Sequence, residues 1–462
     1  MNLPHSSGSL LSKYDISCPY YNAGGSKFHL ILSLHKGMDW DDKIAAMRGS
    51  PILKIILILA ALSLLAGLAY QLPPVNKRLS WRLDFARAYL RGVIDPVQSP
   101  PTALPEPQVQ VTNNVTSTPT STPQPSPTVT EVNTPTPTVS PTPLPEQVIL
   151  DPPRWEYQDI NNCGPAALTM YLRYYGWEGD QTVIAEALKP QREDRNVNVE
   201  ELAYFVRTNV GWLNFEYRVG SDLEMLKEFL ANGIPVMIEE SFYFEGPYWP
   251  NDDLWAAHYQ VLTGYDEAKE VFIGQDSYHG ANQEIPYEVV DEYWQAFNRV
   301  VILIYLPWQE ETVKAILGPN WDPATSRETA LERSKREIEA AQDNPFAWFN
   351  LGSNLTYFER YTEAARAFDE ARRLGLPQRM LRYQFTPFIA YFHSGKTDDL
   401  MALTEYALKI TPNAEEALLW HGWGLYRQGD NEGALGYFQQ ALFENPNYSD
   451  AQYAISYLGA NE

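Results

Sequence analysis

Four side chains of the 462-residue chain have the types and surroundings that thiol chemistry needs: Gln158, Cys163, His258 and Asp276. A cysteine attacks as thiolate, so it needs a base and a setting that favours negative charge. The stretch from Gln158 to Trp177, QDINNCGPAALTMYLRYYGW, supplies the setting. Leu168, Tyr171, Leu172 and Tyr175 recur three and four apart, as on the buried face of a helix, which puts Cys163 at the helix start. There the unpaired N–H groups and the positive end of the helix dipole favour thiolate over thiol. Pro165 suits the first turn, where its missing N–H costs nothing. His258 opens the strand-like HYQVLTGYD, and Asp276 ends the strand-like run in VFIGQDSYHG, so a hairpin can bring both to one sheet edge facing the helix. The imidazole would take the thiol proton and the carboxylate would fix the imidazole tautomer. Gln158, five residues before Cys163, would donate to the oxyanion of a tetrahedral intermediate. Taken singly these residues have plainer readings: a lone cysteine at a helix start is usually a small buried hydrophobe. His279 and Asp266 are the nearest competitors as base and orienting group, and both read as surface loop residues.

The elements that must position this set follow from local pattern. Helical spacing returns at 182–188, 199–208 and 221–231, the last ended by Asn232-Gly233. Short β-branched runs then dominate, at 235–239, 259–264, 271–274 and 300–305. Helices first and a mostly antiparallel sheet later predict an α+β domain over residues 147–308. The aromatic and acidic loop from Glu239 to Trp255 is expected to wall its cleft.

Gln158 with Cys163-Gly164-Pro165-Ala166, His258-Tyr-Gln-Val-Leu-Thr-Gly264-Tyr265 and Gly274-Gln-Asp276 together resemble the C39-like cysteine peptidases, a papain-like fold related to the domain that trims double-glycine leader peptides. The resemblance covers about residues 147–308. It implies Cys163 as nucleophile, His258 as general base and then acid, Asp276 as orienting carboxylate and Gln158 as oxyanion donor. Ser277 stands where that family commonly has proline. No GxxxxGK[ST] occurs in the chain, so an exporter carrying its own ATP-binding cassette is excluded on this polypeptide.

The rest of the chain changes texture several times. Residues 1–50 are expected to be a disordered tail. From Ile52 to Leu72 the chain is apolar except for Lys54, Ser63 and Gln71, about the ~20 residues a helix needs to cross a bilayer, so 51–72 reads as a transmembrane anchor or a signal peptide. Residues 73–95 are basic and suit an amphipathic helix with Leu79, Leu83, Ala86 and Leu90 on one side. Residues 96–146 are a Pro/Thr/Ser-rich linker that cannot bury a core, of the kind that holds a domain off a cell surface. Flanking charge points the other way, with more Lys and Arg after the span than before it. The stalk decides for folded domains outside the membrane, single-pass, or secreted if the segment is cleaved.

Residues 309–343 form a connecting helical segment, and 344–462 repeat. Trp348, Gly352, Ala364, Phe368 and Ala371 are matched 70 residues later by Leu418, Gly422, Ala434, Phe438 and Ala441, with room between for a degenerate unit holding Tyr391, Gly395 and Ala407. This resembles tetratricopeptide repeats, all-α helix pairs of about 34 residues that commonly hold a protein partner. The repeats contain no second Cys/His/Asp set, and removing them is expected to spare cleavage of a short peptide. The net charge, 35 − 58 = −23, argues against nucleic acid as a partner. Two cysteines, Cys18 and Cys163, give neither a disulfide framework nor a metal-binding pattern, and no cofactor is implied. The function expected is a membrane-anchored cysteine peptidase acting on a peptide or protein substrate. The alternatives are a catalytically silent peptide-binding scaffold and a thiol acyl or amide transferase.

Overall fold

The computed structural model describes residues 51–70, 73–105, 143–189 and 197–459. The expected tail, with Cys18, and most of the Pro/Thr-rich linker lie outside the described residues. The chain divides into two units, residues 1–79 and 80–462.

In the first unit, helix α1 (Pro51–Tyr70) is 20 residues long. Ile55, Leu57, Ile58, Leu59, Leu62, Leu64, Leu65 and Leu68 are all exposed along it. Among the described residues no helix is long and apolar enough to cross a membrane, and several side chains of α1, with Gln71 and Leu72 of the expected span, lie outside them. Helix α2 (Pro73–Ile94) crosses the boundary, and from Ser80 onward it belongs to the second unit.

The second unit is built on a seven-stranded antiparallel sheet. The strands are β1 (Gln147–Ile149), β2 (Asn214–Arg218), β3 (Val236–Tyr243), β4 (Trp255–Asp266), β5 (Val271–Asp276), β6 (Gly280–Pro286) and β7 (Val301–Tyr305). Their order is β2-β7-β3-β4-β5-β6, with β1 paired to β4. Every residue of β4 is buried, because Ala257, Tyr259 and Val261 pack in one apolar cluster with Leu168, Tyr171 and Leu172, and Leu262 and Tyr265 in another with Leu226, Phe229 and Leu230. Four helices precede β3: α3 (Cys163–Tyr174), α4 (Gln181–Leu188), α5 (Val199–Asn209) and α6 (Leu223–Ala231). Asp180, Asn198 and Asp222 cap the last three through side-chain bonds to first-turn N–H groups. Helix α3 is tied to the sheet by Tyr171, whose hydroxyl donates to the Pro235 carbonyl and accepts the Ile304 N–H at 2.9 Å. These elements match the expected α+β order, but β1 and β2 come early and β6 and helix α7 (Tyr287–Trp294) carry too little β-branched or apolar periodicity to be read locally.

The remaining helices are α8 (Glu310–Leu317), α9 (Pro323–Ala340), α10 (Pro345–Tyr357), α11 (Tyr361–Leu374), α12 (Met380–Tyr383), α13 (Thr386–Ser394), α14 (Thr397–Ile410), α15 (Glu415–Gln428), α16 (Asn431–Glu444) and α17 (Ser449–Gly459). Pairs α10–α11 and α15–α16 pack alike: a Cβ on Gly352 would come within 2.7 Å of the Phe368 ring, and one on Gly422 within 2.5 Å of the Phe438 ring. The glycine lets an aromatic ring of the partner helix close on the backbone.

The boundary expected near residue 308 is not a gap in the core. Trp255 of β4 is fully buried, with ring centroids 6.0 Å from Phe297, 6.4 Å from Phe346 and 5.9 Å from Tyr383. The loop expected to wall the cleft is also used differently. Glu239 to Phe242 are buried in β3, and Trp249, Asn251, Asp252 and Asp253 bind Gln378 and Arg379 of the helical region.

Candidate active site

Cys163 is the first residue of α3, and the loop before it is fixed by Gln181. The Gln181 Oε1 accepts the Asp159 N–H at 2.7 Å and Asn162 Nδ2 at 2.8 Å, and its Nε2 donates to the Tyr157 carbonyl at 2.7 Å. Lys189 Nζ donates to the Asn161 carbonyl at 2.6 Å, and Asn161 itself takes a φ of 53°. Asn162 makes no side-chain bond to the helix it precedes. The first-turn N–H groups therefore keep their field for the sulfur.

Register brings the other groups in. Glu240 lies opposite His258 on β3 and β4, and Gln260 lies opposite Asp276 on β4 and β5. His258 and Gln260 share a face of β4, so His258 and Asp276 are diagonal cross-strand neighbours. His258 Nε2 is 2.9 Å from Asp276 Oδ1. The Cys163 thiol and the His258 ring couple electrostatically, and Asp276 leaves Nδ1 as the ring nitrogen it does not engage. The same Asp276 Oδ1 accepts the Tyr278 N–H at 2.7 Å and the His279 N–H at 3.1 Å, while Oδ2 is 2.6 Å from His279 Nδ1. His279, expected as a loop residue, is thus a second imidazole on this carboxylate. Asp266 is elsewhere, accepting from Gln147 Nε2 at 2.9 Å and capping the turn after β4.

Burial pushes the Cys163 thiol up, and the hydrogen bond and charge of His258, with the Tyr259 N–H and Lys189, outweigh it, so the thiol sits below its ordinary value. Burial likewise pulls His258 down, but its bonds to Asp276 and Cys163 push it up to about 10. Burial opposes the Asp276 carboxylate too, and His258, the Tyr278 N–H and His279 hold it below the usual carboxylate range. Each shift favours the charged form of its group: thiolate, imidazolium and carboxylate.

Gln158 lies alongside. Its N–H donates to the Ser277 carbonyl at 2.9 Å, and the Ser277 hydroxyl donates to its Oε1 at 2.8 Å. That leaves Gln158 Nε2 to donate elsewhere. Trp155 Nε1 holds the Asp276 carbonyl at 2.8 Å.

Three neighbours, Glu239, Glu240 and Phe242, were expected from the sequence only as part of the loop walling the cleft. Glu239 and Glu240 are buried in β3. Burial raises the Glu240 carboxyl to about 7, against the lowering charge of His258, and its Oε1 accepts Gln260 Nε2 at 2.8 Å. Glu239 is raised well above its ordinary value by burial, with a bond from Tyr259 opposing. Phe242 packs on both imidazoles, its ring 5.1 Å from His258 and 5.4 Å from His279. Adjacent glutamates inside a β-branched run were the available signal, since a strand buried on both faces gives neither a solvated side. Among the described residues no group of three or more His, Cys, Asp and Glu is placed to hold a metal ion.

Residues 147–302 match the model of the Peptidase_C39 like family. A cytochrome c-type biogenesis protein CycH of Pseudomonas aeruginosa is 28% identical over 158 residues, 34% of this chain and 39% of that protein, so the chain spans well under half the length of this curated relative. Among solved structures, a C39-like peptidase from Bacillus anthracis is 19% identical, covering 35% of this chain and 98% of that one at a TM-score of 0.28. Xylellain, a cysteine protease from Xylella fastidiosa, is 16% identical, covering 36% of this chain and 87% of that one at a TM-score of 0.28. The family match spans Gln158, Cys163, His258 and Asp276, and the matched segment has an α+β architecture with an antiparallel sheet.

Proposed function

We propose that the protein is a cysteine peptidase, anchored through residues 52–72, that cleaves peptide bonds with Cys163, His258, Asp276 and Gln158. One observation carries the reading: the His258 ring is hydrogen-bonded to the Asp276 carboxylate and couples electrostatically to the Cys163 thiol at a helix start. The Cys163 thiolate attacks the substrate carbonyl, forming a C–S bond as the π electrons move to oxygen. Gln158 Nε2 and first-turn N–H groups of α3 stabilise that oxyanion. As the C–N bond breaks, His258 gives its proton to the leaving amine, so acyl-enzyme and amine are the products. Water then attacks the thioester; His258 takes its proton, the C–S bond breaks, and the acid leaves. Asp276 keeps Nε2 engaged throughout and stabilises the imidazolium.

The helix pairs, which resemble tetratricopeptide repeats, support recruitment of a protein partner; the exposed apolar side chains of α1 support an anchor, and the Pro/Thr/Ser-rich run supports folded domains outside. The test of catalysis is labelling of the whole chain with an electrophilic peptide probe, wild type beside Cys163→Ala. Label confined to Cys163 and hydrolysis lost in the variant are expected; equal hydrolysis by both would overturn the reading. For topology, protease added to intact cells should cut within 96–146, and protection until lysis would place the domains inside.

A further inference from the structure

Residues 95–104, expected as the start of a free stalk, lie across the helical region. The segment reads DPVQSPPTAL, with prolines at 96, 100 and 101 that remove N–H donors and hold it extended. The helices bind it through its backbone. Lys409 Nζ donates to the Pro96 carbonyl at 3.2 Å and pairs with Asp95 at 2.6 Å. The Tyr406 hydroxyl donates to the Gln98 carbonyl at 2.9 Å. Arg372 donates through Nε to the Pro101 carbonyl at 2.8 Å and through Nη2 to the Thr102 carbonyl at 3.0 Å. Asp399 Oδ1 accepts the Leu104 N–H at 3.1 Å and also holds Arg372 Nη1 at 2.7 Å. Arg372 and Asp399 are both buried, and Pro100 is buried with them.

A buried arginine whose fork is divided between a carboxylate on α14 and two carbonyls of a proline segment is a costly arrangement unless the segment is there. Without it, two buried N–H groups of Arg372 would lose their acceptors. Just before the segment, Phe85 of α2 sets its ring 5.5 Å from Tyr248 in the β3–β4 loop. The Tyr406 hydroxyl also reaches the Gln378 carbonyl at 2.9 Å, next to Arg379, which grips that same loop.

We propose that the face formed by Arg372, Asp399, Tyr406 and Lys409 is a recognition site for an extended proline-containing peptide backbone, filled in cis by residues 95–104 of this chain. The segment is a clasp: it closes α2 onto the helical region, and a peptide of like chemistry binds only by displacing it. Tethering gives the cis segment an effective concentration on the order of mM, so a competitor must exceed that advantage.

The test uses the full chain, with residues 96–104 replaced by Gly and Ser at equal length so that the helices keep every residue. A fluorescent peptide of residues 95–105 is titrated against this variant and wild type, followed by anisotropy. Binding to the variant at least 10-fold tighter than to wild type is expected, as is loss of that binding when Leu104 of the peptide is replaced by proline, which deletes the single N–H read by Asp399. Equal binding to variant and wild type would show that the segment does not fill the site. No binding to either would show that the face does not recognise this peptide, and equal binding of a proline-free peptide of the same charge would remove the proline-backbone chemistry from the proposal.

Discussion

With Asp276 engaging Nε2 of His258 and Cys163 coupled electrostatically to the same ring, the charge of each group depends on its neighbour. The rate of Cys163 alkylation should therefore rise at a lower pH than that of free cysteine, whose value is ~8.5. His258→Ala removes the largest lowering influence and leaves burial opposed only by the Tyr259 N–H and Lys189, so its profile should move to higher pH; a wild-type profile matching free cysteine would contradict the coupling to His258. Asp276→Asn should keep the fold and lower kcat by about 10⁴-fold. Unchanged turnover would assign the orienting role elsewhere. Glu240 gives a separate pH signature. Its folded carboxyl is raised to about 7, above the unfolded value of ~4.3, so the folded state holds the extra proton between them and loses stability as pH rises through that window. Glu240→Gln should flatten that part of the stability profile in denaturant unfolding, and an unaltered slope would locate the titration at another group.

At the scale of elements, the helix pairs depend on where a side chain is absent. A methyl group on Gly422 would meet Phe438 at 2.5 Å and the Ala434 carbonyl at 3.2 Å. Gly422→Ala should cost about 1–3 kcal/mol, the usual size of overpacking, despite alanine's better helix propensity. A gain in stability would mean that α15 and α16 can slide apart. The matched position, Gly352 against Phe368, should respond alike.

Across the whole molecule, the peptidase domain and the helical region share a core. Arg379 pairs with Asp252 at 2.6 Å, both side chains nearly without exposure, and its guanidinium lies 4.0 Å from the Trp249 ring centroid. Arg379→Ala leaves a buried carboxylate unpaired and should cost about 3–5 kcal/mol by denaturant unfolding. Turnover should fall with it, since the loop it holds leads through Trp255 into the strand of His258. Deleting residues 325–462 strips Phe346 and Tyr383 from Trp255, so cleavage of even a short peptide should be lost, in contrast to the independence expected from the sequence.

The sequence by itself determined what local spacing carries: a cysteine at a helix start, a histidine and an aspartate on successive strands, and helix pairs recurring 70 residues apart. These are legible because a helix or strand writes its buried face into residues a few positions apart. Tertiary structure decided the rest. Ser277 meets Gln158 across 119 residues, Arg379 meets Asp252 across 127, and Arg372 meets Pro101 across 271. No local period encodes such pairs; they form only once strand register and helix packing have fixed both ends. For the same reason, Glu240 reads as a polar break in a strand until β4 lies beside it with His258 directly opposite.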